Sequence, residues 1–151
     1  MSASIQGSRA PSLSKTSSVN AAKLLLVDDD PQLRRALRTV LESAGYAVLE
    51  AMTGEEALIT IREEGSIGVI LLDLKMPGIG GIEACRCLRK IVGTAILVIS
   101  VRREQEDKLQ AFQAGADDYL VKPFGVQDLL SRIHVLLGRP AGLNAFPGSR
   151  A

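Results

Sequence analysis

Five short apolar runs alternate strictly with five helical stretches between residues 23 and 139, and this alternation constrains the fold more than anything else in the chain. The apolar runs are "KLLLV", "YAVLEA", "GVILLD", "AILVIS" and "DYLV". The stretches between and after them are "PQLRRALRTVLESAG", "TGEEALITIREEG", "GIEACRCLRKIV", "EQEDKLQAFQAG" and "VQDLLSRIHVLLG". In the first helical stretch Leu33, Leu37, Val40, Leu41 and Ala44 recur at helical spacing. Asp30 suits its N-cap, Pro31 its first position and Gly45 its end. Thr53 and Glu56 form a capping-box pattern, and Gly65, Gly115 and Gly138 are helix stops. Strands 1, 3 and 4 are apolar throughout, which is the mark of strands buried on both faces. The pattern predicts an α/β fold: a five-stranded parallel sheet with five helices on both faces. In such sheets ligands bind beyond the carboxyl ends of the strands.

Those ends are polar. Strand 1 runs into three adjacent carboxylates, Asp28, Asp29 and Asp30. Strand 3 ends on Asp73, strand 4 on Ser100, and strand 5 on Lys122 followed by Pro123. Acids gathered at one sheet edge repel one another unless a cation neutralises them. Carboxylate oxygens in a small open site suit Mg²⁺, which keeps several waters and shares its shell with a phosphate. A carboxylate can also act as a nucleophile and accept a phosphoryl group. Phosphoryl transfer then needs positioning, a metal, and a cation on the phosphoryl oxygens. Asp73 is the expected phosphoacceptor, Asp28 and Asp29 the metal ligands, and Lys122 the cation. Ser100 is a short donor for the attached group.

Composition narrows the alternatives. Lysine plus arginine (18) nearly cancels aspartate plus glutamate (17), so no basic field points to nucleic acid. Three per cent aromatic residues supply no base-stacking surface. Cys85 and Cys87 lie two apart on a helix, do not face each other, and suit a reducing compartment. No apolar run reaches the ~18 residues of a membrane span. The expected location is cytoplasmic. Residues 1–21, serine-rich and without acids, read as a disordered extension, and 140–151 as a tail or the start of a linker. The single folded domain is therefore expected at 22–139.

The motifs "LLVDDD", "VILLDLKMPGIGGIE", "ILVIS" and "GADDYLVKPFG", in this order and spacing, resemble the receiver domain of two-component response regulators. The last two look most like the OmpR/PhoB subfamily, and its KdpE branch in particular. The resemblance implies a doubly wound, CheY-like sheet of order 2-1-3-4-5. It implies phosphoryl transfer from a sensor histidine kinase to Asp73 with Mg²⁺. Asp29 and Asp73 would bind the metal directly and Asp28 mainly through water, with the backbone carbonyl of Lys75 completing the set. Ser100 and an inward-turning Tyr119 would form the switch. A phosphorylation-favoured homodimer would pair Lys108 with Asp128, and Asp117 and Asp118 with Arg132 and Arg139. No enzyme activity is expected beyond self-catalysed transfer and slow autodephosphorylation. Transcriptional output would run through a DNA-binding domain that this chain lacks.

The sequence departs from the family pattern at three places. Val101 stands where a small residue is usual and is expected to crowd the phosphoryl site. Lys75 adds a charge, and Gly80 replaces a common aspartate and should weaken the next helix cap. A haloacid-dehalogenase-type phosphatase needs a second aspartate two residues after the nucleophile, where this chain has Lys75. A degenerate receiver that binds partners without phosphorylation is the remaining alternative. The intact polar set at the strand ends argues against it.

Overall fold

The computed structural model describes residues 21–138. The elements are β1 (Lys23–Val27), α1 (Pro31–Ser43), β2 (Ala47–Ala51), α2 (Gly54–Glu64), β3 (Ile67–Asp73), α3 (Gly80–Ile91), β4 (Ala95–Ser100), α4 (Gln105–Ala114), β5 (Asp118–Val121) and α5 (Val126–Leu137). All strands pair in parallel, in the order β2-β1-β3-β4-β5. Among the described residues the expected fold class, strand order and helix count are all met. Residues 1–20 of the extension expected at 1–21, and the tail expected at 140–151, lie outside the described residues.

Each helix covers one face of the sheet because the strands alternate their side chains with period two. Leu24 and Leu26 join Val69, Leu71, Leu97 and Ile99 against Leu37 and Leu41 of α1 and Leu129 and Ile133 of α5. Leu25 and Val27 join Ile70, Leu72, Ile96 and Val98 against Ala57 and Ile61 of α2, Cys85 and Leu88 of α3, and Ala111 of α4. Both sets are buried, which is why the strands read as unbroken apolar runs.

Local signals place the helix ends. The Asp30 side chain accepts from the amides of Gln32 and Leu33, and Pro31 opens α1. Thr53 accepts from the Glu56 amide, while Glu56 reaches back to the amide of Met52 rather than of Thr53. α1 ends where Gly45, at φ 100°, lets its amide bond Glu42 while Tyr46 bonds Leu41. α3 begins at Gly80 with no side-chain cap, as the missing aspartate leads one to expect.

Sheet register aligns the functional ends. Val27 lies opposite Leu72, Asp73 opposite Ile99, and Ser100 opposite Val121. The residues just past β1 and β5, and the last residues of β3 and β4, therefore emerge on one edge.

Candidate functional site

Four charged residues meet at that edge. Asp28, Asp29 and Asp73 each offer a carboxylate oxygen, and these atoms lie within 4.8 Å of one another. Lys122 Nζ stands 3.4 Å from Asp73 Oδ1 and 3.5 Å from Asp28 Oδ2. Asp28 and Asp73 are buried, while Asp29 is exposed. The arrangement is thus a half-open acidic pocket with one ammonium on its floor.

The backbone holds this pocket in shape. Asp28 donates its amide to Ala51 O at 3.1 Å, so the first acid is anchored to the end of β2. Its Oδ1 accepts from the Asp30 amide at 2.9 Å, which turns the chain sharply into α1. Lys122 donates its amide to Ser100 O at 2.8 Å and so extends the β4–β5 ladder by one residue. The Lys122–Pro123 peptide bond is cis. Under the loop after β3, Gly81 sits so close that a Cβ would fall 2.3 Å from Leu74 Cα and 2.6 Å from Asp73 O. Only glycine lets α3 approach the end of β3 this closely.

Electrostatics follow from the burial. Desolvation, then the neighbouring Asp28 carboxylate, push the Asp73 pKa above the ordinary carboxylate value, against the pull of Lys122. A second cation would relieve that repulsion. The donor set consists of hard carboxylate oxygens with one exposed face, which fits a Mg²⁺ ion that keeps waters and meets a phosphate. Asp28, Asp29 and Asp73 are the residues that would hold it. The backbone of Lys75 hydrogen-bonds the Asp73 carboxylate, and its side chain is exposed.

The two expected switch residues share one segment. Ser100 is buried at the end of β4, and its Oγ accepts from the Arg102 amide at 3.0 Å. Tyr119 is buried too, and its hydroxyl donates to Arg102 O at 2.8 Å. The phenol is turned inward and shares the Arg102 segment with Ser100. Val101 between them is 55% exposed at the rim, so it does not fill the pocket.

The expected dimer residues separate. Asp118 accepts from Arg132 at 2.8 Å, and Arg132 Nε reaches Asp128 at 2.8 Å, all within one chain. Lys108 is half-buried on α4. Arg139 lies outside the described residues. Asp117 requires a correction, because it does not face outward for a partner. It is 4% exposed, bonds Arg89 Nη2 at 2.6 Å and accepts from the Ile96 amide at 2.8 Å. It belongs to the interior of the opposite sheet edge.

With the geometry in place, the comparisons are specific. The family model for the response regulator receiver domain matches residues 24–134. The chain belongs to that family. It is 42% identical over 127 residues to the transcriptional regulatory protein ResD of Bacillus subtilis, covering 84% of this chain and 52% of ResD. It is 42% identical over 122 residues to the KDP operon transcriptional regulatory protein KdpE of Escherichia coli, covering 81% and 54%. It thus spans about half the length of the curated relatives it matches. Among solved structures, a response regulator from Chloroflexus aurantiacus aligns with TM-score 0.75 at 36% identity, over 80% of this chain and 100% of that one. The BeF₃-activated receiver domain of RstA from Klebsiella pneumoniae aligns with TM-score 0.74 at 26% identity, over 78% and 99%. The expected resemblance to OmpR/PhoB-type regulators therefore stands, and with it a place among the receiver domains of two-component signalling. Among the described residues, no helix is long and apolar enough to cross a membrane.

Sequence reasoning missed two clusters. Arg34 and Arg38 of α1 converge on Glu50 of β2. Arg89 of α3 gathers the carbonyls of Val92, Thr94 and Gly115 together with Asp117. Both link residues distant in sequence through the strand order, and only that order predicts them.

Proposed function

We propose that Asp73 accepts a phosphoryl group from the phosphohistidine of a sensor histidine kinase, with Mg²⁺ held by Asp28, Asp29 and Asp73. The observation that carries this reading is the convergence of three carboxylates within 4.8 Å with one ammonium 3.4–3.5 Å from two of them. An Asp73 oxygen attacks phosphorus in line. The bond from phosphorus to the imidazole nitrogen breaks, and the electron pair leaves with the imidazole. A mixed anhydride forms on Asp73, so the chain is a phosphoacceptor rather than an enzyme acting on a separate substrate. Lys122 offsets negative charge on the phosphoryl oxygens, which is the main protein contribution such a transfer needs. A bound Mg²⁺ would supply the rest of that neutralisation.

After transfer, the Ser100 hydroxyl is placed to exchange its Arg102 contact for a phosphoryl oxygen. Tyr119 reads the same segment from β5, because its hydroxyl is bonded to the Arg102 carbonyl. Movement there shifts the population of the α4-β5-α5 surface. That surface carries Lys108, Asp118, Asp128 and Arg132, hence both charge signs, as a two-fold self-complementary interface requires. Exchange of the internal Asp118–Arg132 pair for a partner's is the form the homodimer would take. The relatives are named transcriptional regulatory proteins, and the match covers only about half of each, so the output would be transcription, through a DNA-binding part outside the matched region. The working compartment would be the cytoplasm.

The test is intact mass after incubation with acetyl phosphate and Mg²⁺, beside Asp73→Asn. One phosphoryl group gained, and lost both in the variant and in chelator, is the expected result. Uptake that survives in Asp73→Asn would overturn the assignment of the acceptor. Sedimentation with and without beryllofluoride then checks the dimer, and a species that stays monomeric at high concentration would remove it.

A further inference from the structure

Arg34 lies behind the acidic pocket rather than in it. Its Nη1 donates to the backbone carbonyl of Asp28 at 2.8 Å, and its Nε to Glu50 Oε1 at 2.8 Å. The other Glu50 oxygen takes Arg38, which also binds Glu42. The Arg34 side chain is only 13% exposed and that of Glu50 26%, so neither moves freely in water. Arg34 and Arg38 hold Glu50 below the usual carboxylate range, so it stays ionised.

The consequence falls on the peptide between Asp28 and Asp29. Asp28 is already tied through its amide to Ala51, through Oδ1 to the Asp30 amide, and toward Lys122 through Oδ2. The Arg34 bond fixes its last polar group, the carbonyl. The direction of that carbonyl sets where the chain places Asp29, which is exposed and has no buried packing of its own. A guanidinium fork matches a carboxylate well, so an Arg34 bonded at the Asp28 carbonyl but released from Glu50 would be free to turn toward the acids. Glu50 keeps the fork turned away and balances its charge.

We propose that the Arg34–Glu50 pair is a positioning device for the cation site: Arg34 orients the Asp28–Asp29 peptide, and Glu50 prevents Arg34 from occupying the acids. This inference rests on the proposed Mg²⁺ reading of the pocket.

The two possible roles of Arg34 predict opposite signs. If Arg34 acted only through its field, removing a positive charge would tighten Mg²⁺ binding. If it positions the ligands, removing it weakens binding, and loss of such outer partners typically costs about 10-fold to 100-fold in metal affinity. The test is calorimetric titration of the full chain with Mg²⁺ alone, without any phosphodonor, with thermal unfolding as a check on each variant. Arg34→Ala is expected to weaken binding about 10-fold. Arg34→Lys keeps the charge but loses the fork, and it too should weaken binding. Glu50→Gln should weaken it by releasing Arg34, and the same substitution placed on Arg34→Ala should add little. Tighter or unchanged binding in Arg34→Ala and Arg34→Lys would overturn the proposal, as would equal effects of Glu50→Gln in both backgrounds. Should Arg34→Ala fail to fold, Arg34→Lys and Glu50→Gln decide the matter. Failure of the parent chain to bind Mg²⁺ refutes the functional reading itself and is distinct from either result.

Discussion

Asp117 and Asp118 are adjacent acids with opposite roles, and substituting each by alanine separates them. Asp117 accepts from the Ile96 amide at 2.8 Å and from Arg89 at 2.6 Å while only 4% exposed. In Asp117→Ala the Ile96 amide loses its acceptor, and an unsatisfied buried donor costs ~1–3 kcal/mol. Arg89 also loses its carboxylate. Removing one partner of a buried pair costs ~3–5 kcal/mol when the charge is left bare. Here Arg89 keeps the carbonyls of Val92, Thr94 and Gly115, so the charge is not bare and the cost falls well below that range. A combined loss of about 3 kcal/mol is expected, a large share of the stability of a domain of this size. At roughly 4 °C per kcal/mol for a domain of this length, Tm falls by about 12 °C. The Asp118–Arg132 pair is about one-third exposed on both sides, and Asp118→Ala should cost under ~1 kcal/mol. The assay is thermal unfolding followed by circular dichroism at several protein concentrations. An Asp117→Ala melt within about 2 °C of the parent, with loss confined to dimer assembly, would refute the internal role and return Asp117 to the dimer surface.

Three further outcomes are expected. The folded-state pKa of Asp73 is raised above its ordinary 3.8, so the stability linked to its proton is complete below that value and is lost as pH rises through the raised one. Asp73→Asn should therefore be more stable than the parent at neutral pH in chelator, with the difference vanishing near pH 3, as paired urea midpoints will show. Gly81→Ala puts a Cβ 2.3 Å from Leu74 Cα, so it should cost ~1–3 kcal/mol or more and displace Asp73, weakening Mg²⁺ uptake together with the urea midpoint. Burial pushes the Cys85 thiol up to about 12, so iodoacetamide should modify Cys87 alone in the folded chain, and Cys85 only in denaturant, as peptide mapping can verify.

Much of this molecule is legible in its sequence because the local signals agree. Short apolar runs give way to the 3.6-residue helical period five times, and caps such as Asp30 and stops such as Gly45 fall at the switches. Asp28, Asp73, Ser100 and Lys122 were readable as one site because each ends, or directly follows, a strand. A parallel sheet brings such residues to a single edge whatever the strand order. Asp117 was not readable in this way. It precedes its strand, and so belongs to the opposite edge, where Arg89 approaches from a helix 28 residues earlier. Two adjacent aspartates before a strand look like a solvated surface, and only burial tells them apart. Arg34 was hidden for a related reason. Its Glu50 partner sits at the end of β2, which neighbours β1 only because of the strand order.

The two edges of the sheet also explain why this chain tolerates an acidic pocket at all. At the carboxyl edge, Asp28 and Asp73 are buried with Lys122 as the shared cation, an arrangement that leaves carboxylates in excess. At the amino edge, Asp117 and Arg89 meet with the surrounding carbonyls and one amide saturating both. The first edge is poised for a ligand because its charges do not cancel, and the second ties α3, β4 and β5 together because its charges do. Substitutions that remove the Asp73 carboxylate should therefore stabilise the fold and abolish phosphoryl uptake, whereas those that break the Arg89–Asp117 pair should destabilise the fold and leave uptake by the folded chain in place. That opposition of sign, measured across both edges in one set of unfolding and mass experiments, follows from charge balance alone.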